Sequence, residues 1–269
     1  MIRFFFIIIF LCSQISFSWA VYPTGIVYRV DSRELNDIHE AGGMWPLEDG
    51  IPDNDLMHHF TGESLDGMCS NFVSTSQSLA SVVEHAMFLA STHYDSYDPE
   101  FVTYIYVIRP DLNFYDVRSS FVNTLNNTTD EEMINGINRL LASYVNMDEL
   151  AARQGFSQNR IISYARLDSE MIQQYGSALY SESFWLPRWI NNPRYNFNND
   201  PDISNSEPYQ HVGSFNGSVL EVVNDNQSTI RIGNTCLGVS PYFNKESKTK
   251  LKESCSKHQI MNVKSRSIK

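Results

Sequence analysis

An α+β fold is what this chain predicts. Apolar residues recur at helical spacing in some segments, β-branched and aromatic runs mark strands in others, and Gly, Pro, Asp and Asn punctuate the stretches between them. A composition with 42% hydrophobic residues, fourteen tyrosines and sixteen phenylalanines supplies enough large side chains for an ordinary globular core.

Ile26 to Asp31 reads as a short strand, and Arg33 to Ala41 as a helix with Ser32 at its N-cap. Residues 42–71 hold no sustained period and read as loop. Phe72 to Thr75 is a strand. Ser78 to Thr92 is a helix, since Leu79, Val82, Val83, Ala86 and Leu89 share a face. Phe101 to Ile108 is a β-branched and aromatic strand, and Thr129 to Tyr144 a helix with Met133, Ile137, Leu140 and Leu141 on one side. Gly155 leads into a strand at Ile161 to Ala165. The Asn, Pro and Asp density from Arg188 to Gln210 predicts a long surface excursion, and Ser218 to Ile232 two short strands about Asn224-Asp225-Asn226.

Residues 1–20 carry Arg3, an apolar run from Phe4 to Cys12, and Ser18-Trp19-Ala20, the pattern of an export signal cleaved after Ala20. The run is shorter than the about twenty apolar residues that a membrane span requires. The expected localisation is therefore secreted. Three segments follow: the signal at 1–20, a domain at 21–235, and a basic extension at 236–269. Residues 21–244 have a net charge of −18, whereas Lys245 to Lys269 have +6. So acidic a body repels nucleic acid phosphates, and no nucleic acid partner is expected. An exported chain retaining Cys69, Cys236 and Cys255 should pair two of them, either Cys69 with Cys236 or Cys236 with Cys255. No metal site is expected, because no Cys-x-x-Cys is present and His58-His59 stands far from any cysteine pair. No Gly-x-Ser-x-Gly elbow supports a serine hydrolase.

The segments that carry chemistry are Tyr28-Arg29-Val30-Asp31-Ser32-Arg33, Phe72-Val73-Ser74-Thr75-Ser76, Tyr104-Ile105-Tyr106-Val107 and the acid Glu149. An early arginine, a Ser-Thr-Ser strand and a later carboxylate suit the binding of NAD and the cleavage of its glycosidic bond. A guanidinium fork recognises phosphate or a ribose edge, and a fixed carboxylate stabilises the positive charge that develops as nicotinamide departs.

In order and spacing these segments resemble the mono-ADP-ribosyltransferase A subunits of the cholera, heat-labile and pertussis toxins, over roughly residues 26–167. His59-Phe60-Thr61-Gly62 and Asn113-Phe114-Tyr115 resemble the pertussis branch. The resemblance implies the ADP-ribosyltransferase fold, with mostly antiparallel sheets and flanking helices around an NAD cleft. It implies Arg29, Ser74, His59 and Glu149 as catalytic residues, and Tyr28, Asp31, Trp45, Thr75 and Ser76 with Arg29 and Ser74 around the dinucleotide. Glu149 precedes Ile161 by the family's twelve residues; Asp148 is the rival if the register slips by one, as His58 is for His59. NAD would serve as co-substrate. The partners implied are a host protein acceptor, with the α subunit of a heterotrimeric G protein as the leading candidate, and a pentamer of binding subunits engaged by the basic tail. A bridge between two cysteines flanking the lysines would hold a nicked chain together.

One position departs from the pattern. The family places Glu or Gln two residues before the catalytic glutamate, where this chain has Met147. A thioether cannot engage a guanidinium, so arginine is not the expected acceptor; cysteine, asparagine, lysine or water remain. The competing functions are an NAD glycohydrolase with the same site and a noncatalytic secreted binding module.

Overall fold

The computed structural model describes residues 24–46, 52–61, 64, 69–93, 96–143 and 148–213. Residues 1–20, Met147, the strands expected within 218–232, Cys236, Cys255 and the tail at 245–269 lie outside the described residues.

A seven-stranded antiparallel sheet organises the chain. Its strands are β1 (Val27–Asp31), β3 (Phe72–Ser76), β6 (Val102–Ile108), β7 (Phe114–Asp116), β8 (Glu149–Arg153), β10 (Ile161–Asp168) and β11 (Ile190–Asn191), in the spatial order β11-β10-β6-β1-β3-β8-β7. The small strands β2 (Gly43–Met44) and β9 (Phe156–Ser157) pair with each other, as do β4 (Ser91–His93) and β5 (Ser96–Tyr97). The helices are α1 (Leu35–Glu40), α2 (Leu56–Thr61), α3 (Leu79–Ala90), α4 (Val117–Asn127), α5 (Glu131–Ser143), α6 (Ser169–Tyr175) and α7 (Glu182–Trp185).

Pairing is uneven across the sheet. β1 meets β6 at five consecutive residues, from Val27 opposite Ile108 to Asp31 opposite Tyr104, yet meets β3 only where Tyr28 faces Ser76. Beyond that point the two strands part, and the sheet opens at its middle. On the far side of the opening β3 pairs fully with β8, from Phe72 opposite Arg153 to Ser76 opposite Glu149.

Strand alternation sends successive side chains to opposite faces. Val27, Tyr104, Tyr106 and Ile108 pack with Leu35, Ile38 and Phe156 on one side of the sheet. Val30 and Ile105 pack with Val82, Val83, Ala86 and Trp185 on the other. A third cluster lies over β3 and β8, where Phe60, Phe72, Phe121, Ile137 and Leu140 meet.

Several local expectations are corrected. The first helix begins at Leu35, with Glu34 rather than Ser32 at its N-cap; the Glu34 N–H donates to Asp37 Oδ2 at 3.1 Å. The cause is Asp31, whose Oδ1 accepts from both the backbone N and the Nε of Arg33 and holds that residue in a turn ahead of the helix. Residues 42–71 are not all loop. Asp55 Oδ1 accepts from Met57 N at 2.8 Å, and the six-residue α2 follows, burying Leu56, Met57, His59 and Phe60. So short a helix leaves no period to detect. The stretch 188–213 is irregular, as expected, but it is not a free surface excursion. Asn192 Nδ2 donates to Ile161 O at 2.8 Å, Arg160 pairs with Asp202 at 2.6 Å, and Tyr209 is buried edge-on against Phe72 with its hydroxyl on Asn54 O. At its end the Gly213 N–H donates to Asp55 Oδ1 at 2.9 Å, tying the strap to the start of α2.

Candidate functional site

The opening between β1 and β3 is a cleft lined by Tyr28, Arg29, Val30, Ser74, Thr75, Ser76 and Glu149 from the strands and by Ser81, Val82 and His85 from α3. α3 starts where it does because Ser78 caps it, its hydroxyl accepting from Ser81 N at 3.2 Å. That places one face of the helix along the cleft and the other in the core.

Arg29 spans the gap that the strands leave. Its Nη1 donates to Ser74 O at 2.7 Å, a bond to β3 at a point where the β1 backbone has drawn away. Its Nε lies 3.5 Å from Asp31 Oδ2 and has no hydrogen-bond partner. Asp31 itself is turned from the cleft toward Arg33, which it binds through two bonds of 2.9 Å, from Nε to Oδ1 and from Nη2 to Oδ2. Burial pushes the Asp31 carboxyl up, but the hydrogen bonds and charge of Arg33 and the charge of Arg29 outweigh it and hold the group below the usual carboxylate range. Asp31 is therefore an anchor for two guanidiniums rather than a lining group.

Glu149 opens β8 opposite Ser76 and is only 4% exposed. It is a buried strand residue. Glu-Leu-Ala-Ala-Arg has helical propensity of its own, and the ladder with β3 overrides it. Burial raises the Glu149 carboxyl to about 7, against the opposing pull of the hydrogen bond from Ser74 and the charge of Arg29. Desolvation is the stronger effect because the group meets little water on either side. Glu149 also borders a narrow, largely apolar pocket lined by Phe60, Val117, Arg118, Phe121, Leu140 and Leu141.

Behind Glu149 runs a chain of hydrogen bonds whose polarity can be worked out. Ser74 donates to the Glu149 carboxylate, so the 2.8 Å contact between Ser74 Oγ and His59 Nε2 requires the proton on Nε2. Nδ1 is then the acceptor in its 2.7 Å contact with Ser70 Oγ, and Ser70 Oγ accepts in turn from Phe72 N at 3.3 Å. Burial and the charge of Arg29 lower His59 to about 4, which keeps the ring neutral and this order of donors intact. His59 also lies against Phe72, with ring centroids 5.3 Å apart. Its neighbour His58 points instead to Asp53, with Nδ1 2.9 Å from Oδ2.

Thr75 and Ser76 support the strand. Thr75 Oγ1 donates to Leu150 O at 2.8 Å, and Ser76 Oγ accepts from Ser78 N at 3.0 Å. Trp45 is not among the lining residues. Its indole N–H donates to Ala41 O at 2.7 Å, and the ring is 42% exposed beside the β2–β9 pair. Cys69 is described, with its Sγ 3.5 Å from Ser64 O.

The site thus joins Arg29, Ser74, His59 and Glu149, with Tyr28, Thr75 and Ser76 along the wall. Sequence reasoning missed Ser70, which orients His59, and His85, which faces the cleft from α3. A histidine three residues after Val82 on an otherwise apolar stripe was the available signal for the second; Ser70 offered none.

A family model described as heat-labile enterotoxin alpha chain matches residues 2–147. The chain belongs to that family. The enterotoxin family match ends two residues before Glu149, so the placement of this acid rests on the geometry above. Pertussis toxin subunit 1 of Bordetella pertussis (strain Tohama I) is 37% identical over 112 residues, covering 39% of this chain and 40% of that protein. Its homologue in Bordetella parapertussis is 37% identical with the same coverage. The alignment thus spans about 40% of the length of these curated relatives. Among solved structures, the nicked CARDS toxin superposes with a TM-score of 0.53 at 22% identity over 72% of this chain and 34% of that one. The full-length CARDS toxin gives 0.51 at 21% over 70% and 32%. The α+β architecture is that of the ADP-ribosyltransferase toxins, as the sequence predicts.

Proposed function

We propose that this enterotoxin-family chain is an exported toxin A subunit that cleaves NAD and transfers ADP-ribose to a host protein. The observation that carries this reading is the convergence of Arg29, Ser74 and Glu149 on one cleft, with Glu149 buried at the end of the Ser70–His59–Ser74 hydrogen-bond chain. In this reading the Arg29 guanidinium binds the phosphate or ribose edge of the dinucleotide. Glu149, ionised, hydrogen-bonds the ribose 2′-hydroxyl and stabilises the oxocarbenium ion that forms as the C–N bond to nicotinamide breaks. His59 and Ser74 hold the carboxylate in place and are not nucleophiles. NAD is a co-substrate that the strand residues Tyr28, Arg29 and Ser74 to Ser76 accommodate.

The acceptor in this reading is not arginine. Met147 stands where a guanidinium acceptor would need an acid, and a thioether cannot engage a guanidinium. A host protein, the α subunit of a heterotrimeric G protein first among those to assay, supplies the acceptor, and residues 236–269 engage a ring of binding subunits.

Incubation of the exported chain with labelled NAD and host-cell lysate tests this. A labelled protein band that disappears in Glu149→Ala and Arg29→Lys supports it. Nicotinamide release with no band in any lysate makes the protein an NAD glycohydrolase instead, and neither product identifies a binding module.

A further inference from the structure

His85 is a polar group that the proposed chemistry does not yet use. It sits on α3 among Val82, Val83 and Ala86, is only 6% exposed, and its Nε2 is buried with no hydrogen-bond partner. An orphaned buried nitrogen is destabilising relative to a satisfied one, and such groups in folded proteins call for an explanation. The core does not supply it, because an apolar residue would fill the same stripe at no such cost. Position does: His85 lines the same cleft as Arg29, Ser74 and Glu149. Its ring is held in a near-parallel stack on Phe88, centroids 6.4 Å apart, so the imidazole is oriented before anything binds.

We propose that His85 Nε2 is a hydrogen-bond partner of the nicotinamide-ribose half of NAD, satisfied only when the dinucleotide occupies the cleft. This rests on the function proposed above. The half is assigned from the lining: Glu149 and Ser74 mark the place of the ribose, and His85 shares their enclosure. Burial, with the Arg29 charge, lowers His85 to about 4. The ring is therefore neutral, offering a sugar hydroxyl or the carboxamide a bond without placing a second cation beside the positive nicotinamide.

The test compares His85→Phe and His85→Gln with the wild type in steady-state nicotinamide release. Phe preserves the stack on Phe88 and removes the nitrogen, and Gln restores a polar group near the Nε2 position. The expected result is a KM for NAD raised at least about tenfold in the Phe variant with kcat within about threefold, and most of the loss recovered by Gln. A KM in His85→Phe within about twofold of wild type overturns the assignment. If the Phe variant does not fold, the ring resonances of His85 are followed in Glu149→Gln, which retains the histidine. A shift of the Nε2 signal on saturation with NAD supports the contact, and no shift while calorimetry records NAD binding to the same variant overturns it alone. Absence of NAD binding to the wild type overturns this inference and the proposed function together.

Discussion

His59 Nε2 lies 2.8 Å from Ser74 Oγ, and through that contact the short helix α2 is joined to the strand that carries the cleft. The ring has one chemically consistent tautomer there, because Ser74 spends its proton on Glu149. Ser70 Oγ, 2.7 Å from Nδ1, holds the ring from the other side.

Ser70→Ala therefore acts on catalysis without touching the cleft. Nδ1 loses its donor and the ring can rotate or exchange tautomers, at a cost of about 1–3 kcal/mol for the unsatisfied buried nitrogen. Nicotinamide release should fall by roughly threefold to tenfold, with KM for NAD nearly unchanged, as steady-state kinetics would show.

The rate should depend on pH through Glu149. In the proposed reaction the carboxylate form stabilises the oxocarbenium ion, and burial raises this acid to about 7. Initial rates should rise from about pH 5.5 to about 8.5 with a midpoint close to 7 and no descending limb from His59, which is already neutral throughout. Glu149→Gln should lose about a hundredfold to a thousandfold in kcat and abolish the rise.

Stability should show the same group with the opposite sign. An acid whose folded value is raised binds its proton more tightly in the native state, so its contribution is complete below the unfolded value of 4.5 and is lost as pH climbs through about 7. His59 and His85, both lowered to about 4 from 6.5, contribute above 6.5 and lose that contribution on acidification toward 4. Thermal melts across this range should show Glu149→Gln gaining stability relative to wild type above about pH 6, and a steep acid loss that His59→Asn combined with His85→Asn flattens.

Asp31→Ala should be among the most damaging substitutions. It leaves Arg33 and Arg29 buried without their shared carboxylate, a loss of about 3–5 kcal/mol for breaking a buried ion pair. Chemical denaturation should register it, and soluble yield should fall. A variant as stable as wild type would contradict the anchoring role of Asp31.

Arg29→Lys should separate charge from geometry. An ammonium keeps the positive charge, but it lacks the planar fork that reaches Ser74 O while presenting further N–H groups to a phosphate or ribose. NAD affinity measured by calorimetry should fall at least about tenfold, with a smaller loss of melting temperature than Asp31→Ala produces.

The sequence by itself determined, to within one or two residues at each end, the strands that the structure bounds at Val27–Asp31, Phe72–Ser76 and Val102–Ile108 and the helices that it bounds at Leu79–Ala90 and Glu131–Ser143. Apolar period and β-branched runs are properties of near neighbours and survive without a fold around them. It also marked Arg29, Ser74 and Glu149 as the groups to watch. Only the tertiary structure decided that Glu149 is a strand residue, since five residues with helical leanings became β8 by pairing with β3, a partner remote in the chain. The same holds for the single Tyr28–Ser76 pair that lets the sheet open, for Asp31 turning to Arg33 rather than to the cleft, for Trp45 standing apart from it, and for the Ser70 hydroxyl that orients His59. Each of these is settled by which side chains long-range ladders bring within hydrogen-bonding distance. Local propensity holds no information about that, because a hydrogen bond is decided within fractions of an ångström and by which groups burial leaves without water.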